Sequence, residues 1–98
     1  MWIGWLELDL LLGDVHSLKE KRSVIRPIVA EIQRRYAVSV AEVGDQDLHR
    51  RGTVGLAAVS GDRAPLVDLL DSVERLVAGR PEVELLTAHR SLRTSDDD

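Results

Sequence analysis

The residues with the plainest chemical character are cations. Lys19, Lys21, Arg22 and Arg26 crowd one short stretch that opens Ser17-Leu18-Lys19-Glu20-Lys21-Arg22, with a single acid among them. Ammonium and guanidinium groups at this density hold phosphate oxygens, the first as point charges and the second as planar forks. A second basic group, His49-Arg50-Arg51, closes a polar stretch that begins at Gly44. It can reach a nucleic-acid backbone in the same way, and the two groups cooperate if the fold brings them to one side.

The acids and histidines make a weaker case. Glu7 and Asp9 alternate along one extended segment, yet nothing near them implies the enclosed pocket that acid–base chemistry requires. Asp45, Asp47 and His49 would project to one side of an extended loop as oxygen and nitrogen donors, which is too little to specify a metal. His16 and His89 stand alone. With no cysteine in the chain, thiolate catalysis, disulfides and cysteine-held metals are excluded. There is no phosphate-cradling glycine loop and no nucleophile elbow. The expectation is therefore no catalytic residue, no metal and no cofactor.

The elements that position the basic groups can be read from local pattern. Ser17 followed three residues later by Glu20 is a capping box, so a helix starts there. Leu18, Ile25, Val29, Ile32 and Tyr36, with Ile28 beside them, repeat at helical spacing and give it one buried face. In this frame Lys19, Arg22 and Arg26 run along one flank and Lys21 lies nearer the other edge. Pro27 removes a backbone bond in the interior and predicts a kink or a first turn set apart. Cations in a first turn oppose the helix dipole, a conflict that an anion docked at the helix start would resolve.

Upstream, residues 2–12 alternate as a strand whose even positions face the core. Residues 37–43 and 53–60 read as two further strands joined by a long loop. Asp62 caps a second helix with Pro65 in its first turn, Leu66, Leu69, Leu70, Val73, Leu76 and Val77 on its apolar face, and Gly79 and Pro81 as its stop. A last strand runs from Val83 to about Leu92. The order is βαββαβ, the α+β ferredoxin-like arrangement of a four-stranded antiparallel sheet with both helices on one face. Residues 1–93 form one domain and residues 94–98 an acidic disordered tail, which supplies three of the negatives in a net charge of −4.

The opposite sheet face should carry Trp5, Glu7, Ser39, Ala41, Val43, Gly55, Ala57 and Val59. Such a flat, weakly polar surface suits a two-fold homodimer, with Trp5, Ala41, Val43, Ala57 and Val59 as its contacts. Base stacking on that face is disfavoured, because Trp5 shares it with Glu7 and Asp9.

Ser17-Leu18-Lys19-Glu20-Lys21-Arg22, Val38-Ser39-Val40-Ala41-Glu42-Val43, the following Gln46-Asp47 and Pro81-Glu82-Val83-Glu84-Leu85-Leu86 together resemble the bacterial YlxP-like family across nearly the whole chain. The resemblance implies a ferredoxin-like fold and no established activity. Genes of that family tend to lie among those for transcription elongation, translation initiation and ribosome maturation, which implies an RNA- or ribosome-linked role by association.

The resulting expectation is a cytoplasmic, non-catalytic module, without a membrane span, that binds RNA or a ribosomal subunit. Lys19, Lys21, Arg22 and Arg26 would be its principal contacts, supported by His49, Arg50 and Arg51. The alternative is a homodimeric adaptor or regulatory domain that binds a protein or an anionic metabolite.

Overall fold

A computed structural model describes residues 1–44 and 47–96. The elements are β1 (Trp2–Leu12), α1 (Leu18–Arg35), β2 (Ser39–Gly44), β3 (Arg51–Ser60), α2 (Arg63–Ala78) and β4 (Val83–Thr94). All pairings are antiparallel and the sheet order is β2-β3-β1-β4, which is the ferredoxin-like α+β fold. Among the described residues no helix is long and apolar enough to cross a membrane.

Alternation along β1 decides which face the helices cover. Leu6, Leu8, Leu10 and Leu12 are fully buried and meet Ile25, Ile28 and Ile32 of α1 and Leu70, Val73 and Val77 of α2. Fully burying a side chain of this size stabilises by roughly 1.5–3 kcal/mol, so this layer holds the domain together. At Gly4 the approach of α2 is so close that a Cβ would lie 3.0 Å from Leu66 Cδ2. The turn into α1 uses Asp14 at a φ of 47°, a left-handed conformation that aspartate tolerates better than most side chains.

The α1 N-terminus is capped as its sequence requires. Ser17 Oγ accepts from the Glu20 amide at 3.1 Å, and the Glu20 carboxylate accepts from the His16 amide at 2.8 Å. Both sides of the start are thus occupied by the chain's own groups. Pro27 lies on the exposed side of α1, and the helix runs through it as one element, so the first turn is not set apart. Asp62 occupies the N-cap position of α2, but its carboxylate makes no capping bond.

Two irregularities break the strand registers. Between Glu42 and Gly44 one extra residue, Val43, bulges from β2, and between Asp9 and Leu10 of β1 the partner strand β4 gains Leu86. β4 also continues past its expected end to Thr94, and the Ser95 amide donates to Met1 O, so the chain's start and this end of β4 are joined. Asp97 and Asp98 of the expected tail lie outside the described residues.

Candidate functional site

Lys19, Arg22 and Arg26 are exposed on the outer flank of α1 and, with Ser23 and Pro27, line one shallow concavity of about 380 Å³. A second concavity of about 360 Å³ lies on the other side of Arg22 and Arg26, lined by Ile25, Val29, Ala30, Gln33 and Glu42. The two arginines therefore form a ridge between two grooves. Among the described residues, none of these three cations has an ion pair or a hydrogen-bonded side-chain partner.

Lys21 does not belong to this surface. Its side chain is 2% exposed, its Nζ lies 2.9 Å from Glu42 Oε2, and it donates to Leu48 O at 2.8 Å. The reason is angular. Lys21, Ile25, Ile28 and Ile32 are the buried residues of α1, so the covered stripe is rotated toward Lys21 and leaves Leu18, Val29 and Tyr36 only half-buried. The lysine cannot contact an external phosphate without unfolding its surroundings. The expected conflict with the helix dipole is answered within the chain, by Glu20 at the cap and Glu42 opposite Lys21, and needs no external anion.

The buried ammonium has a second consequence. By holding Leu48 O, it ties the segment before β3 to the first turn of α1. Arg50 reinforces this: its backbone carbonyl accepts from the Leu12 amide at 2.8 Å and its Nε donates to Leu12 O at 3.3 Å. His49 and Arg50 are exposed and held at the end of the molecule where α1 begins. Arg51 is not brought with them. It stands opposite Leu11 in the sheet and so projects from the open face, where its charge acts on Asp9. Asp45 of the alternating Asp45, Asp47, His49 set lies outside the described residues, and no cluster of three metal-binding side chains occurs among the described ones.

The open face is as expected in composition. Trp5, Glu7, Ser39, Ala41, Gly55, Ala57 and Val59 all project from it by register, and Val43 leans across Gly55 so closely that a Cβ there would lie 2.9 Å from Val43 Cγ2. Trp5, Glu7, Val43 and the small residues between them enclose a shallow depression of about 360 Å³. Toward β4 the face turns polar. Asp9 accepts from Thr53 Oγ1 at 2.8 Å and from Thr87 Oγ1, and His89 Nε2 lies 3.6 Å away. The hydroxyl of Thr87, then that of Thr53, holds the Asp9 carboxyl below its ordinary value, helped by His89 and Arg51.

This polar cluster was only half visible in the sequence: Asp9 marks it, but Thr53, Thr87 and His89 join it only through strand register. The buried Lys21 did leave a signal, since it stands four positions before Ile25 and seven before Ile28, the spacing of a covered stripe.

A search of solved structures finds a likeness to a crystal structure of SnoaB, a cofactor-independent oxygenase from Streptomyces nogalater, in a mutant form. It covers 99% of this chain and 95% of that one, at 10% identity and a TM-score of 0.45, a level that carries no argument about activity. In sequence the chain is 38% identical over 82 residues to the uncharacterized protein YlxP of Bacillus subtilis (strain 168), covering 84% of this chain and 89% of that protein. Residues 3–90 match the family model described as "Protein of unknown function (DUF503)", and the chain belongs to this family.

Proposed function

We propose that this protein is a non-catalytic RNA-binding module of the cytoplasm, which engages RNA through its phosphates on the outer flank of α1. The observation that carries this reading is the ridge itself: Lys19, Arg22 and Arg26 are exposed and without an acidic partner among the described residues, in a chain whose total charge is negative. Clustered cations left unneutralised in an acidic protein favour a polyanionic partner. His49 and Arg50 extend the surface, because Lys21 and Leu12 hold their segment beside the start of α1. Lys21 acts as a support for this surface, not as a contact.

The contacts are to phosphate and sugar, so sequence preference is weak and salt dependence strong. The direct test is binding of purified protein to ribosomal RNA and to the small ribosomal subunit at two salt concentrations, with a Lys19→Ala/Arg22→Ala/Arg26→Ala variant alongside. Salt-sensitive binding that the variant loses supports the reading. Absence of binding at low salt, or binding indifferent to the variant, overturns it.

A second reading rests on a different observation, the apolar depression between Trp5 and Val43 on the open face. In an adaptor built there, Ala41→Arg would abolish partner binding and the α1 variant would leave it intact.

A further inference from the structure

We propose that the open sheet face is where two copies of this chain pair, about a two-fold axis that crosses the strands at the level of Trp5. This goes beyond phosphate binding and does not depend on it, since the α1 ridge lies on the opposite layer.

The first argument is shape. Trp5 stands opposite Ala57 on β3 and Ser91 on β4, so the exposed indole rises between two short side chains at the centre of the face. Ile3 and Glu7 lie two residues to either side of Trp5. On β3 they are level with Val59 and Gly55 respectively, and on β4 with Arg93 and His89. A two-fold axis lying between the sheets at the level of Trp5 exchanges these two levels. Val59, which is 64% exposed, then comes against Gly55 and the overlying Val43 of the second copy, apolar surface on apolar surface.

The second argument is charge. Glu7 is exposed and has no hydrogen-bond or ion-pair partner among the described residues, although it sits in the middle of the face. Arg93 crosses the Trp5 ring at 6.0 Å. Within one copy these two groups belong to different levels. In the pair the exchange sets each Glu7 across from Ile3 and next to the Arg93 of the other copy, twice, while Arg93 itself lies across from His89, which within its own copy is turned to Asp9. An acid and a base that go unmatched in one copy and match in two identify the occupant as this chain itself.

The third argument is area. Ten paired residues on β1 and β3, in a four-stranded sheet, give a face of roughly 500–600 Å² in projection at ordinary strand rise and spacing. Side-chain relief raises the accessible area toward the roughly 800 Å² that each partner buries in a stable complex.

The test is molecular mass by light scattering from micromolar to near-millimolar protein. The wild type should be a dimer. Val59→Arg places a charge at a protruding position that no fold contact needs, and should raise the dimer dissociation constant by about tenfold or more while circular dichroism is unchanged. Glu7→Arg should weaken pairing, and Glu7→Arg/Arg93→Glu should restore it, which only this register predicts. A monomeric wild type at near-millimolar concentration, or a dimer indifferent to Val59→Arg, overturns the proposal. A reversed pair that fails to restore pairing overturns the axis.

Discussion

Lys21 Nζ lies 2.9 Å from Glu42 Oε2, with the lysine side chain 2% exposed and the glutamate 23% exposed. The contact joins the first turn of α1 to β2 across the base of the segment that carries Leu48, His49 and Arg50. A buried ion pair of this kind adds little over an apolar pair of the same shape, but removing one partner strands the other charge. Lys21→Met should therefore cost about 2–4 kcal/mol in urea denaturation, the lower end reflecting the partial exposure of Glu42. Lys21→Met/Glu42→Leu should recover much of that loss, and equal losses in the single and double variants would refute the account.

Gly52 tests the packing of the same pair from beneath. A Cβ there would lie 3.3 Å from Lys21 Cε and 3.5 Å from Glu42 Oε2. Because the pair is fixed at both ends, it cannot move aside freely. Gly52→Ala should destabilise by about 1 kcal/mol, and in the Lys21→Met background, where the side chain is more pliable, by measurably less.

These residues show where the sequence was legible and where it stopped. The strands and helices followed from alternation, the capping box and the Gly79 and Pro81 stop, because each is a local signal. The face on which Trp5, Ala57 and Val59 lie also followed, since parity is local. What failed at Lys21 was a rotation of the buried stripe by part of a turn: its spacing from Ile25 and Ile28 was readable within α1, but the groups that cover it, Glu42, Leu48 O and Gly52, lie far along the chain. The Asp9 cluster failed for a related reason: Thr53 and Thr87 are distant in sequence, and the Leu86 bulge shifts the register beside them. Arg51 was assigned to a loop, and a strand that begins two residues early turned it to the other face.

Asp9 gives a pH prediction with a definite sign. Its carboxyl is held below the ordinary value by the hydroxyls of Thr87 and Thr53, so the folded state favours the ionised form. That stability is fully present above the unfolded value, near pH 4, and is lost as pH falls through the folded value below it. Asp9→Asn should lower stability at pH 7 by about 1 kcal/mol, the scale of a net hydrogen bond. Its deficit relative to wild type should shrink as pH is lowered below 4. A deficit that stays constant from pH 7 to pH 2.5 would rule out the linkage.

Pro27 is exposed inside α1 and leaves one helical carbonyl without its amide donor. Pro27→Ala restores that donor at a position where nothing in the core must move. The gain is offset in part by the greater freedom alanine gives the unfolded chain. The net expectation is stabilisation by about 1–2 kcal/mol, seen as a higher urea midpoint at unchanged slope. A destabilised variant would mean that the proline ring makes a contact worth more than the missing bond.

The phosphate-binding reading makes a prediction sharper than loss of affinity. Each phosphate contact releases condensed counterions, so the logarithm of the binding constant falls linearly with the logarithm of salt, by about 0.7 per contact on single-stranded RNA. If Lys19, Arg22 and Arg26 each hold one phosphate, replacing all three with alanine should flatten the slope by about 2 as well as weaken binding. Arg75→Ala removes an exposed cation from α2, far along the chain from the ridge, and should leave the slope unchanged. Equal effects from both variants would mean that the protein responds only to its overall charge, and the ridge would lose its role. Lys21→Met/Glu42→Leu supplies the remaining control: it keeps Lys19, Arg22 and Arg26 but removes the partly exposed Glu42 carboxylate from the groove beside the two arginines, a change that by itself would favour phosphate, so a loss of affinity with the slope of the ridge contacts retained measures how far His49 and Arg50 depend on the buried tether.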